Sequence, residues 1–144
     1  MPFGLLVARA VGVGGLSLGA NPVAEVTHEL GLWGLNFLLL TLAITPLRRL
    51  TGSPQWLRFR RMLGLYAFAY LCLHFAIYVL VDQSLDWEIL VEDVLKRPWI
   101  TVGFAALLLL VPLALTSTQG WMRRLGRRWQ SLHRLAYVAT GLGI

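Results

Sequence analysis

The sequence predicts an all-α fold, a polytopic bundle of transmembrane helices, and three observations carry that prediction. Mean hydropathy is +0.66 and only 14% of the 144 residues are charged, where a soluble domain carries about 25%. The apolar residues gather in runs approaching the roughly 20 residues that a helix needs to cross a bilayer. The arginines fall mainly in two blocks, Arg48, Arg49, Arg58, Arg60 and Arg61, then Arg123, Arg124, Arg127, Arg128 and Arg134, with long apolar stretches between them. Basic blocks alternating with apolar runs mark the cytoplasmic loops of a multi-pass membrane protein. No nucleic-acid partner is expected from the net charge of +6, because a binding stripe belongs on the face of a soluble domain. At this length the chain, residues 1–144, reads as one domain.

The first run, Phe3–Ala20, is the weakest: Arg9 interrupts it, and Gly12, Gly14, Gly15 and Gly19 loosen it. Arg9 is expected to snorkel to the nearer interface. "GLSLG" at 15–19 has the small-xxx-small spacing of close helix packing. Leu30–Leu47 follows and ends in "TPLRRL"; Met62–Val81 ends at Asp82; Pro98–Leu115 ends in "TSTQ"; and Trp129–Ile144 is the last run. That makes about five spans of the required apolarity. With both arginine blocks in the cytoplasm, the N-terminus is inside and all the runs alternate without contradiction. Glu25 and Glu29, and the cluster Asp82, Asp86, Glu88, Glu92 and Asp93, then face the outside. Trp33, Trp56, Trp87, Trp99, Trp121 and Trp129 lie near run boundaries, where amphipathic rings favour the interface.

One connection is more than a loop. In "DQSLDWEILVEDVLKRP", Trp87, Leu90, Val91, Val94 and Leu95 follow the i, i+3, i+4, i+7, i+8 pattern, with acidic residues between them. A short amphipathic helix on the outer interface is expected. Its acidic face is either simply solvated or a docking face for a partner.

The chemistry rests on the histidines. Ionisable residues inside a membrane are expensive, so each is a functional candidate. His74 lies in "YLCLHFAIY", twelve residues beyond Met62, or about 18 Å from the inner end of its helix at 1.5 Å per residue. His133, in "RRWQSLHRLAY", lies about 6 Å into its run by the same rise. His28 opens the second run beside Glu25 and Glu29 and is expected at the outer water interface as a packing residue. Its depth differs from that of His74 by about 12 Å, too far for the two to share one metal without a bend. Packing alone, a metal ion and haem are the open readings for His74 and His133. Zinc wants three or four ligands, and the spans offer no carboxylate. Haem asks only for one or two imidazoles and a dry apolar slot. Cys72 stands alone in an apolar run and reads as a small buried hydrophobe. HExxH, GxSxG, P-loop and dinucleotide fingerprints are absent, so no catalytic residues are assigned.

Five stretches carry a resemblance: "NPVAEVTHELG", "TPLRRLTG", "RRMLGLYAFAYLCLHFAIYVLVD", "KRPWITVG" and "ALTSTQGWMRRLGRRWQSLHRLAYV". Together they span most of Asn21 to Val138, and in order and spacing the chain resembles the MsrQ (YedZ) family within the ferric-reductase-like transmembrane group. The resemblance implies a six-helix membrane protein of the bacterial inner membrane, binding haem b and also FMN. Electrons would come from the quinone pool or a cytosolic flavin reductase. They would go to MsrP, a periplasmic molybdopterin enzyme that reduces methionine sulfoxide in oxidised proteins. His74 and His133 fall on the family's haem-ligand motifs, "LH" and "WQxLH". Arg127 and Arg128 are candidates to pair with haem propionates or a flavin phosphate, although topology alone also explains them. The resemblance implies a further histidine thirteen residues after His133, at what would be position 146, and a sixth helix. A C-terminally truncated sequence is therefore expected. The rival reading, drawn from the histidines alone, is a non-redox membrane scaffold or a metal-ion transporter.

Overall fold

The computed structural model describes residues 4, 7–9, 20–82 and 85–144, and among these it is helical throughout, with no strand. Helix α1 spans Pro22–Thr51. Asn21 caps it, its side chain accepting from the Ala24 N–H at 3.3 Å, and Pro22 supplies a first-turn residue that needs no donor. The helix ends at Gly52, whose φ of 70° closes the last turn with an N–H to Arg48 O bond of 2.9 Å. Its 30 residues make a rod of about 45 Å. It therefore begins well before the expected Leu30 and crosses Pro46 without stopping. Hydropathy marks only the apolar middle of such a helix, whereas the caps set its ends.

Helix α2, Trp56–Ile77, turns back along α1 and passes into a π-helical turn at Tyr78–Asp82. The short helix α3, Trp87–Lys96, is the expected amphipathic one, capped by the Asp86 carboxylate on the Glu88 and Ile89 amides. Helix α4 is Pro98–Leu115, followed by α5 at Gln119–Leu125, α6 at Arg127–His133 and α7 at Leu135–Gly143. The expected last run is thus two short helices divided at Arg134. Among the described residues, three helices are long and apolar enough to cross a membrane: Pro22–Thr51, Trp56–Val81 and Pro98–Leu115. Most of the first expected run, including the 15–19 packing motif, lies outside the described residues. Arg9 is described, and it is ion-paired with Glu25 at the start of α1.

Packing is built on small residues. Ala67 and Ala139 are completely buried, while Leu108 is 54% exposed and Leu40 51%. Bundles in lipid bring backbones together over small side chains and turn large apolar ones outward. Gly34 shows why: a Cβ there would sit 2.8 Å from the Leu71 side chain. Helices α1 and α2 pair closely, as do α4 and α7, and the two pairs meet more loosely, α2 against α4 and α1 against α7. Leu38, Leu110, Leu113 and Ala136 fill the centre of the resulting ring. The looser seam between the pairs leaves room at both ends.

Candidate functional site

The larger opening is a cavity of about 400 Å³ at the end of the bundle where α1 begins, with walls from α1, α2, α4 and α7. That is within the roughly 300–1,000 Å³ of pockets that take small molecules and cofactors. Leu32, Leu35, Leu71, Phe75, Trp99, Phe104 and Leu107 make it apolar and aromatic. Phe75 and Phe104 hold α2 and α4 together at a centroid separation of 5.4 Å. Its polar groups are few, chiefly His74 of α2 and His28 of α1.

His74 is positioned by α1. Its Nδ1 lies 2.6 Å from the carbonyl oxygen of Thr27. A carbonyl only accepts, so Nδ1 carries the proton and Nε2 keeps its lone pair, the tautomer a metal-binding imidazole needs. The ring reaches that carbonyl because residue 31 is glycine: a Cβ there would stand 3.0 Å from His74 Cε1 and Nδ1. The Nδ1-protonated imidazole, the glycine cradle and the apolar aromatic walls would suit a haem, with His74 the residue to hold it.

His28 was expected about 12 Å away in depth; instead it lines the same cavity as His74, at its exposed rim. The bond between His74 and Thr27, its immediate neighbour in sequence, shows that the two are level. The estimate failed because it started α1 at Leu30, whereas the helix starts at Pro22 and carries His28 nearly two turns inside. Nothing in the sequence fixes how α1 slides along α2; the Gly34–Leu71 contact does.

His133 lies elsewhere. It lines a narrow cavity of about 60 Å³ at the arginine end, with Arg60, Arg61, Ser117 and Trp129. Its Nδ1 is 3.1 Å from the Trp129 carbonyl and its ring stacks on that indole at 3.9 Å. Trp129 is fixed in turn by an Nε1–H bond of 2.9 Å to the Thr116 carbonyl. Here too the tautomer leaves Nε2 with a lone pair. Buried Leu38 borders both cavities, so His74 and His133 do not face one another.

Arg127 and Arg128 are exposed and line neither cavity. The guanidinium groups beside His133 are those of Arg60 and Arg61, which the sequence reading used only for topology. Arg61 Nη2 donates to the Ser117 carbonyl at 2.8 Å, while its Nε is buried with no hydrogen-bond partner. Among the described residues no group of three or more His, Cys, Asp or Glu could hold a metal ion. Helix α3 borders the His74 end: the Tyr78 hydroxyl, whose side chain lines the larger cavity, donates to Asp93 Oδ2 at 3.0 Å. Asp93 also pairs with Arg97 at 3.4 Å. Asp86, Glu88 and Glu92 remain exposed.

Comparison with known proteins identifies the family. Residues 30–144 match the family described as ferric reductase like transmembrane component. The protein-methionine-sulfoxide reductase heme-binding subunit MsrQ of Xanthomonas euvesicatoria pv. vesicatoria is 64% identical over 121 residues, covering 84% of this chain and 56% of that protein. The subunit of the same name from Ralstonia nicotianae is 60% identical over 127 residues, covering 88% of this chain and 58% of that protein. The chain thus spans a little over half the length of these curated relatives. No solved structure matches it.

Proposed function

The chain belongs to the ferric-reductase-like transmembrane family, and from that premise we propose that it is the haem-binding part of a membrane electron-transfer subunit serving methionine sulfoxide reduction. The observation that carries the reading is His74, held by the Thr27 carbonyl with Nε2 unprotonated, on the wall of an apolar 400 Å³ cavity. Haem b in that slot supplies a one-electron carrier whose potential follows its axial ligand and surroundings. The protein's own work is to hold the ligand's tautomer and to exclude water with Phe75, Trp99 and Phe104. Ala139 and Gly143 of α7 line the same cavity, and their i, i+4 spacing continues at i+7 to position 146, where the resemblance expects the second histidine.

Direction follows from charge. The arginine blocks lie on the cytoplasmic side of the inner membrane, so electrons enter near His133, from the quinone pool or a cytosolic flavin reductase. They leave near His74 and α3 toward a periplasmic molybdopterin reductase of the MsrP kind. Arg60 and Arg61, with the sequence candidates Arg127 and Arg128, are the cations available at the entry end for haem propionates or the phosphate of FMN. Glu88 on α3, with Glu92 paired to Lys96 beside it, offers acidic charge to a partner at the exit.

The test is the visible spectrum of the purified full-length protein. Bands of a low-spin b-type haem that sharpen on reduction are expected. A protein without haem absorption, purified from cells supplied with haem, overturns the reading.

A further inference from the structure

We infer that Gly31 is a positioning residue: its missing side chain lets the His74 imidazole lie against the backbone of α1, so that the Thr27 carbonyl fixes the ligand's tautomer and electron-donating strength. This rests on the assignment of His74 as a haem ligand.

Glycine inside a helix is a poor choice for helix stability, and alanine is the best. Gly31 sits nine residues into α1, far from either end. A turn, a cap or a left-handed conformation does not explain it, since the residue is helical. The space around it does. Across the helix interface, the three atoms that a Cβ at this position would meet first all belong to His74: Cε1 and Nδ1 at 3.0 Å and Cγ at 3.8 Å. Non-bonded carbon atoms rest at about 3.5–4.0 Å. The imidazole would therefore have to give by a few tenths of an ångström. Its present bond to the Thr27 carbonyl is 2.6 Å, short for a nitrogen donor, so the retreat lengthens and weakens it.

The consequence reaches the iron. A ligating histidine whose second nitrogen donates to a carbonyl is held in one tautomer and one ring orientation, and is more basic. A more electron-rich ligand favours ferric iron and lowers the midpoint potential. Backbone supplies the acceptor here, so no side-chain replacement removes it, and Gly31 is the position through which it can be tuned.

The experiment compares wild type, Gly31→Ala and Gly34→Ala in the haem-loaded full-length protein by spectroelectrochemical titration and haem-to-protein ratio. Gly34→Ala is the packing control, because its Cβ would meet the Leu71 side chain at 2.8 Å and not the imidazole. Gly31→Ala is expected to raise the midpoint potential of the haem and weaken haem retention by up to about 10-fold, the low end of what outright loss of such a partner costs. Gly34→Ala is expected to lower thermal stability while moving the potential less. An unchanged potential in Gly31→Ala, or equal shifts in the two variants, overturns the inference. Absence of haem from the wild type overturns the underlying assignment instead. Should Gly31→Ala not fold, the His74 tautomer is read directly by imidazole nitrogen-15 NMR of wild-type protein prepared without haem. A protonated Nδ1 supports the inference and a protonated Nε2 refutes it.

Discussion

Replacing His74 with alanine separates a ligand from a packing residue, because the structure limits what else the change can do. Truncation removes the imidazole from the wall of a cavity that is already about 400 Å³, so the space it leaves joins that cavity rather than forming an isolated void. The Thr27 carbonyl loses one donor, but in a helix it still accepts from the N–H four residues on, and no buried polar group is orphaned. The cost to the fold is then that of one lost hydrogen bond and some contact area, on the order of 1–2 kcal/mol. Haem, by contrast, loses a bond to iron. The expected result in the full-length protein is the loss of at least one equivalent in a pyridine haemochrome assay, with the protein still inserted and helical by circular dichroism. Imidazole added at millimolar concentration should restore part of the absorption, since the vacated space has the shape of the ligand removed. Full haem occupancy in His74→Ala, with an unshifted spectrum, would refute the assignment. Loss of the folded protein along with the haem would show that the histidine acts through packing.

Other outcomes follow from the same geometry. His133→Ala should alter the haem spectrum or potential independently of His74→Ala, the two effects adding because the residues line different cavities and share no hydrogen-bond partner; a strongly non-additive double variant would place them on one iron. Reversing Glu88 and Glu92 to lysine should slow electron delivery to a periplasmic acceptor, most at low salt, and leave haem content intact, as rim charges act on association rate. Asp86 is best left alone in that experiment, since its carboxylate caps α3 and its loss costs about 1 kcal/mol of helix stability. An unchanged rate at low salt would make the acidic face a solvated one. Reporter fusions after Thr51 and after Gly120 should read as cytoplasmic and one within 84–93 as periplasmic; any reversal of that order would invert the proposed electron path.

The sequence by itself determined what can be read along one helix at a time. Hydropathy located the apolar middles of α1, α2 and α4, and the 3.6-residue pattern of Trp87, Leu90, Val91, Val94 and Leu95 located α3, because burial in lipid or at its surface acts on each segment before any partner is found. The cost of burying an imidazole singled out His74 and His133 in the same way. Relations between helices were decided only by the tertiary structure. That His28 stands level with His74, that Arg60 and Arg61 line the His133 cavity while Arg127 and Arg128 do not, and that a Cβ at Gly31 would meet an imidazole all depend on how far one helix slides and turns against another. That register is set by close contacts such as Gly34 on Leu71, and a shift of one turn would have kept every hydropathy signal while dismantling the site.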